Sequence, residues 1–234
     1  MDVQLIRSKL QSLGDKQRAK ILQGFFKTGP GEYGEGDLFI GVRVPVLRRF
    51  AKEYQSLPLG KIERLLKSPF HEERALALMI LLRAYSRGDD SLKKKVYEAY
   101  LRNTRYINNW DLVDISAGHI VGHYLLEKDR KPIYVLARSK SLWERRISII
   151  STYRFIKHGQ YLDTLQISEM LLSDREDLIH KAVGWMLRAV GMRNPHLEEE
   201  FLKKHYKKMP RTMLRYSIEK FPEPRRKAFL RGEF

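Results

Sequence analysis

Apolar side chains recur at three- and four-residue steps along almost the whole chain. Near the N-terminus, residues 2–13 carry such a stripe, formed by Val3, Ile6, Leu10 and Leu13. Residues 74–85, RALALMILLRAY, are apolar on nearly every side, which predicts a buried helix. No segment sustains the two-residue alternation of a half-buried strand. The pattern therefore predicts an all-α protein.

Five segments repeat this pattern at similar intervals. They begin 40, 33, 34 and 34 residues apart, at Ser68, Asn108, Ser141, Arg175 and Met209. Each opens with polar or aromatic residues, carries a charged residue within its first turns and then becomes apolar. Such a period is typical of stacked helix pairs, although all-α proteins without repeats can mimic it. We expect an α-solenoid of tandem antiparallel helix pairs (HEAT-like repeats), forming one domain over residues 1–234.

Equivalent positions of a solenoid line one concave surface, and here most of them are basic. The charged residues at these positions are Arg74, Asp114, Arg146, Lys181 and Arg215. The whole chain of 234 residues has 45 Lys and Arg against 28 Asp and Glu, a net charge of +17. This excess favours a polyanionic partner, either nucleic acid or an anionic membrane surface, while a generally basic protein is the alternative. We expect a concave basic groove.

The absence of cysteine excludes disulfides, thiolate nucleophiles and cysteine-ligated zinc. His119, His123 and Glu127 follow one another at four-residue steps and could form a metal-binding face, but histidines on a helix are more often structural. We expect no metal and no cofactor. No stretch approaches about 18 uncharged apolar residues, and the N-terminus lacks the pattern of a signal peptide. A cytoplasmic location is expected, with association to the nucleoid when DNA is bound.

Residues 28–45, TGPGEYGEGDLFIGVRVP, contain five glycines and a formal match to the dinucleotide fingerprint. We reject a phosphate site, because no strand precedes the segment and a proline lies inside the turn. Three acidic residues would also repel phosphate: Glu32, Glu35 and Asp37. The segment predicts an ordered loop between two helices, the second of which begins near Pro45.

The most informative motif is N-N-W-D-L-V-D at residues 108–114. Trp110 and Asp114 are four residues apart and share one helix face. Asp111 fits a first-turn acid, which leaves Asp114, a carboxylate among otherwise basic repeat positions, needing a partner. Two later motifs place further indoles beside cations, W-E-R-R at 143–146 and H-K-A-V-G-W-M-L-R at 180–188. The basic stretch 203–211 is either a solvated helix end or a phosphate clamp.

These motifs, W-D-x-V-D, W-x-x-R and K-A-[IV]-G-W-x-L-R, resemble those of the AlkD-like DNA alkylation-repair proteins. The resemblance extends over roughly residues 15–222. It implies a HEAT-like repeat DNA glycosylase that removes alkylated purines from duplex DNA. By this resemblance Asp114 matches the catalytic carboxylate, Trp110 and Trp185 match indoles beside the lesion, and Arg146 matches a groove arginine.

Two positions depart from the family pattern. Asn109 stands where a family member can carry a second tryptophan, and the glycine-rich loop is longer than the simplest pattern. The loop leaves open which of three aromatic residues faces the groove: Phe25, Phe26 or Tyr33.

The expected reaction is hydrolysis of the N-glycosidic bond of N3- or N7-alkylated purines, which leaves an abasic site. Five cations are expected to contact DNA: Lys181, Arg188, Arg215, Arg211 and Arg74. The alternative function is a non-catalytic helical-repeat protein that recognises damaged or branched DNA. A monomer is expected. The preferred lesions and the role of the glycine-rich loop stay open.

Overall fold

The computed structural model describes residues 2–233. They fold into two compact units that divide between residues 116 and 117, unit 1 before this point and unit 2 after it. Within the described residues the regular structure is helical, apart from one isolated bridge between Leu38 and Phe70. The predicted all-α fold is therefore confirmed, whereas the single domain over the whole chain stays a prediction.

Unit 1 contains seven α-helices and one 3₁₀ turn among its described residues. They are α1 Val3–Ser12, α2 Lys16–Phe25, α3 Val44–Glu53, α4 Leu59–Leu66, α5 His71–Arg87, α6 Asp90–Arg102, the 3₁₀ turn Thr104–Tyr106, and α7 Trp110–Ala117, whose last residue opens unit 2.

Helix α5 forms the centre of unit 1, because α3, α4 and α6 all pack against it. Its apolar residues Leu76, Leu78, Ile80 and Leu81 are fully buried, as the apolar run predicts. The stripe of α1 is buried at three of its four predicted positions. The fourth, Leu13, is 46% exposed because α1 ends at Ser12 and Leu13 caps it.

Side chains at the helix ends explain several of these boundaries. The carboxylates of Asp2, Asp15 and Asp89 each accept a hydrogen bond from a backbone N–H in the first turn of the following helix, which satisfies a donor that the helix itself leaves unpaired. Pro45 lies in the first turn of α3, where its missing N–H costs nothing. The loop and helix predicted for residues 28–54 are confirmed.

Unit 2 begins with a π-helical turn that continues directly from α7. Its elements are the π turn Gly118–Gly122, α8 Lys131–Ala137, α9 Leu142–Ser151, α10 Tyr153–Lys157, α11 Leu162–Met170, α12 Asp177–Gly191, α13 Pro195–His205, α14 Arg211–Ser217, the 3₁₀ turn Ile218–Lys220, and α15 Glu223–Arg231.

The helices of unit 2 pack in two layers. Helix α12 lies between α9 and α14 in one layer, while α8, α11 and α13 pack on these helices from the other. Short connections between α8 and α9 and between α11 and α12 turn the chain back on itself, as in antiparallel helix pairs. The segments predicted from Ser141, Arg175 and Met209 contain α9, α12 and α14, so equivalent helices of successive repeats are neighbours.

Helices α12 and α14 approach each other closely at Gly184. A Cβ atom at this position would lie 2.5 Å from the Cβ of Tyr216 and 2.6 Å from the backbone oxygen of Met213. Only glycine fits such a backbone contact. The contact fixes the position of Trp185, the next residue of α12.

Candidate functional site

The candidate catalytic residues of unit 1 lie on α7. Leu112 and Val113 are fully buried and fix the rotation of this short helix, which leaves Trp110 and Asp114 half-buried one turn apart. The Oδ1 atom of Asn109 accepts a hydrogen bond of 2.8 Å from the backbone N–H of Trp110. The predicted pair of an indole and a carboxylate on one helix is therefore present.

A buried phenol lies close to the carboxylate of Asp114. Tyr100 is fully buried and shares a hydrogen bond of 2.9 Å with the hydroxyl of Ser116. Burial raises the pKa of Tyr100, the hydrogen bond with Ser116 lowers it, and the negative charge of Asp114 raises it further. Tyr100 therefore stays protonated at neutral pH and adds no second negative charge beside Asp114.

Trp110 belongs to an aromatic cluster with Phe25, Phe26 and Phe39. The ring of Phe26 stacks on Trp110 with centroids 5.4 Å apart and on Phe39 at 5.2 Å. Phe25 meets Trp110 edge-on at 6.0 Å and is 61% exposed, whereas Phe26 is 8% exposed. Phe25 thus presents an apolar surface to solvent beside the indole, and Phe26 supports the indole from within.

The glycine-rich loop holds part of this cluster in place. The buried carboxylate of Glu72 on α5 accepts hydrogen bonds from the backbone N–H groups of Ile40 and Gly41, at 2.9 and 2.7 Å. Gly41 has a φ of +89°, and a Cβ atom there would collide with the backbone oxygen of Asp15. The loop therefore has a structural function that the sequence left open: it packs Asp37 and Phe39 against α5.

Arg74 does not lie where the sequence placed it. Its side chain is buried, and its guanidinium donates to Asp37 Oδ1 at 2.6 Å and to the backbone oxygens of Ser68 and Pro69 at 3.1 Å each. A guanidinium engaged in this way inside unit 1 is not available to a phosphate. The assignment of Arg74 as a DNA contact is therefore corrected: Arg74 compensates the buried charge of Asp37.

His71 lies next to this ion pair, beneath the aromatic cluster. Its Nδ1 is 3.0 Å from Asp37 Oδ2, and its Nε2 is 2.9 Å from Asp111 Oδ2. Burial lowers the pKa of His71, but the hydrogen bonds with Asp111 and Asp37 and their charges outweigh it and raise the pKa to about 9. The sequence pattern does not reveal the role of His71, because its partners come from a loop and from α7, far apart in sequence.

In unit 2, Trp185 is half-buried on α12 and packs near an unpredicted tyrosine. The ring of Tyr153 lies 6.0 Å from that of Trp185, and the ammonium of Lys157 lies 4.6 Å above the Tyr153 ring. Tyr153 and Lys157 are four residues apart on α10, a spacing that could have identified them as members of one helix face.

The predicted cations of unit 2 differ in their surroundings. Lys181 pairs with Asp177 one turn earlier at 2.7 Å, and Arg188 pairs with Glu219. Arg215 is exposed, and the exposed Arg211 donates to the backbone oxygen of Leu230 at 2.8 Å.

Arg146 is buried, in contrast to the other cations of unit 2. It donates to the backbone oxygen of Leu178 at 2.5 Å. This contact ties α9 to the first turn of α12, so Arg146 has a packing role in unit 2 whatever it does toward a substrate.

The described residues lack two further features. No group of three or more His, Cys, Asp or Glu side chains there could hold a metal ion. Within the same residues, no helix is both long enough and apolar enough to cross a membrane.

The family model described as DNA alkylation repair enzyme matches residues 6–221. The chain therefore belongs to the DNA alkylation repair enzyme family, and the resemblance found in the sequence is confirmed. Membership supports a role in the repair of alkylation damage, with DNA as the partner.

A solved structure supports the fold. A predicted DNA alkylation repair enzyme from Enterococcus faecalis superposes with a TM-score of 0.70, covering 90% of this chain and 97% of that one at 17% sequence identity. No curated protein matches the chain.

Proposed function

We propose that this protein is a DNA glycosylase that excises N3- and N7-alkylated purines from double-stranded DNA. It hydrolyses the N-glycosidic bond, releases the free alkylated base and leaves an abasic site. The observation that carries the proposal is the half-buried carboxylate of Asp114. It lies one helical turn from Trp110, whose indole belongs to the aromatic cluster. The protein acts as a monomer and needs no cofactor.

The chemistry of the lesion explains why one carboxylate suffices. Alkylation at N3 or N7 places a positive charge on the purine, so the base departs without being protonated. The glycosidic bond then breaks with oxocarbenium character on the sugar. A fixed carboxylate stabilises this developing cation and orients the attacking water. We assign both tasks to Asp114.

The surroundings of Asp114 suit this role. Indole and phenyl faces attract cationic character, and Trp110 with the exposed Phe25 offers such faces to a sugar or to an alkylated base. The phenol of Tyr100 is protonated and therefore adds no like charge beside the Asp114 carboxylate.

Unit 2 is assigned the binding of the DNA backbone and a second aromatic contact. Trp185 packs against the lesion nucleotide, and Arg146 supports the reacting region. The proposed phosphate contacts are Lys181, Arg188, Arg215 and Arg211. Lys181 and Arg188 each pair with a single acidic residue. Such surface ion pairs are individually weak, so phosphates can replace these two partners.

The test is incubation with a duplex that contains one 7-methylguanine, followed by chromatography of the released base and alkaline cleavage at the abasic site. A glycosylase releases 7-methylguanine in proportion to strand cleavage. If the protein binds this duplex tightly and releases no base from it or from 3-methyladenine DNA, it is instead the non-catalytic DNA-binding protein.

A further inference from the structure

His71 is the first residue of α5 and joins two elements that are distant in sequence. Its ring contacts Asp37 of the glycine-rich loop through Nδ1 and Asp111 of α7 through Nε2, at 3.0 and 2.9 Å. A neutral imidazole has one donor and one acceptor nitrogen, while an imidazolium has two donors. Because both partners are carboxylates, the contact geometry requires protons on both ring nitrogens.

His71 belongs to a group of four charged side chains in which the positive and negative charges are equal in number. Asp37 also accepts from the guanidinium of Arg74 at 2.6 Å, so that two cations and two carboxylates alternate in the order Asp111, His71, Asp37, Arg74. Of the four side chains, only that of Asp111 is substantially exposed, at 28%. Buried charges persist only when they are paired, which makes this chain of contacts sensitive to the loss of any one member.

The chain of contacts ends on the helix that carries the candidate catalytic residues. Asp111 directly follows Trp110 and precedes Asp114 by three residues, and its Oδ1 accepts from the backbone N–H of Leu112 at 2.8 Å. Helix α7 has eight residues before the π turn. A helix of this length has little stability of its own and takes its orientation from its contacts.

His71 is also connected to the indole of Trp110, through the ring of Phe26. The ring of Phe26 lies 4.9 Å from the ring of His71 and 5.4 Å from that of Trp110. His71 therefore reaches α7 twice, once through the carboxylate of Asp111 and once through the stacked ring of Phe26.

We propose that the imidazolium of His71 is a positioning residue, which fixes α7 through Asp111 and Phe26 and thereby sets the positions of the Trp110 indole and the Asp114 carboxylate. We call His71 with Asp37 and Asp111 the imidazolium clamp. Its consequence for base release rests on the proposed function, whereas its effect on α7 does not.

The chain offers a matched control on the same helix. Glu73 lies two residues after His71, is also buried and pairs with Arg7 of α1 at 3.0 Å. The substitutions His71→Gln and Glu73→Gln both remove a buried charge from the first turn of α5. Only the first removes a link to α7.

The first measurement needs no activity. The chain has three tryptophans, so Trp143→Phe with Trp185→Phe leaves Trp110 as the only tryptophan, which can be excited at wavelengths that tyrosine does not absorb. In this background His71→Gln should raise acrylamide quenching of Trp110 toward that of an exposed indole, and Glu73→Gln should leave it unchanged. Equal quenching in the two variants, or no change in the His71 variant, would overturn the proposal.

The second measurement uses the three tryptophans intact. A displacement of about 1 Å can cost on the order of a hundredfold in rate, so His71→Gln should lower kcat of base release by roughly ten- to a hundredfold, with KM little changed. Glu73→Gln should retain kcat. If the wild type releases no base, the proposed function fails, and the quenching experiment still decides whether the clamp exists.

Two further experiments test the proposal even if the His71→Gln variant does not fold. Asp111→Asn leaves the buried members of the clamp in place and should raise Trp110 quenching in the same way. In the wild-type protein, nitrogen NMR of the His71 ring at pH 7.5 should show two protonated nitrogens. A neutral His71 ring at that pH, or unchanged quenching in the Asp111 variant, would contradict the assignment.

Discussion

The charged groups beside α7 in unit 1 are largely buried and contact one another, whereas the proposed DNA-binding cations of unit 2 lie mainly at the surface. His71, Asp37 and Arg74 have side chains at most 4% exposed, while Lys181 is 40% exposed and pairs with an acidic residue on its own helix. Buried pairs hold a geometry because separating them exposes an uncompensated charge. Exposed pairs contribute about 0–1 kcal/mol and exchange partners readily.

The two units are therefore suited to different tasks. Unit 1 holds a carboxylate and an indole in fixed positions, as a reaction with a developing charge requires. Unit 2 offers cations whose present partners a phosphate can replace.

The largest effect is expected at Asp114. Asp114→Asn removes the charge while keeping the shape of the side chain, and loss of one such electrostatic contact commonly costs about 10²- to 10³-fold in kcat. Affinity for duplex DNA should persist or rise, because a negative charge near phosphates has gone. Single-turnover base release and fluorescence anisotropy measure the two quantities.

The control for this variant is Asp90→Asn, which removes an exposed acid from α6 of the same unit. It should leave base release unchanged. An Asp114→Asn protein that folds and releases base at the wild-type rate would end the catalytic assignment.

The next effect is the dependence of stability on pH. The pKa of His71 is raised to about 9 in the folded protein, so its stabilising contribution is complete below the unfolded value of about 6.5 and is lost as the pH rises through 9. The free energy of unfolding should fall by on the order of 2–3 kcal/mol across this window. The charged groups involved are Asp37, Asp111 and Arg74.

Urea unfolding of the wild type at pH 6.5 and pH 9.5, beside the same measurement on His71→Gln, tests this dependence. The variant should lose most of the difference between the two pH values. A wild type equally stable at both values would show that His71 is neutral in the folded protein.

A smaller effect is expected at Trp185 in unit 2. Trp185→Ala removes an aromatic face worth about 1–2 kcal/mol toward cationic character, and should lower kcat/KM by roughly tenfold. Binding of undamaged duplex should change less, because phosphate contacts supply most of that affinity. Trp143→Ala, which removes an indole from α9, should lower neither beyond its effect on folding.

The smallest effect concerns the salt dependence of binding. Neutralising about four phosphates, one for each proposed cation, gives a slope of log K against log salt near −3.6. Arg215→Gln should reduce the magnitude of this slope by about 0.9. Arg74→Gln should lower the free energy of unfolding and leave the slope unchanged, because Arg74 is buried against Asp37. A slope that responds to Arg74 and not to Arg215 would reverse the roles assigned to the two units.

Periodicity identified the helices well, because apolar spacing along one helix is a local property. Residues 74–85 lie in the central helix of unit 1, and the repeat spacing located α9, α12 and α14. The proximity of Trp110 and Asp114 could also be predicted from the sequence, because residues four apart lie one turn apart on any helix. The prediction that Leu13 belongs to the buried stripe of α1 was wrong, because the helix ends one residue before it.

Contacts between segments that are distant in sequence could not be predicted from residue spacing along a single helix. Arg74 occupies a repeat position like the other cations, and only the loop that brings Asp37 against it shows that it is buried. His71 lies in the repeat segment that begins at Ser68, but its role depends on its contacts with a loop residue and with α7. The choice between Phe25 and Phe26 likewise required their packing against Trp110.

The close contact at Gly184 has a consequence for the variation this chain can tolerate. Any other residue there must push α12 away from Tyr216 and Met213, and this shift would carry Trp185 and Lys181 with it. A library randomised at residue 184 should therefore return glycine almost alone when it is selected for DNA repair in alkylated cells. Residue 192, an exposed methionine just past the end of the same helix, should accept most side chains. Mutational tolerance along α12 then depends on the distance to a neighbouring backbone, and a residue that touches no DNA becomes as restricted as one that does.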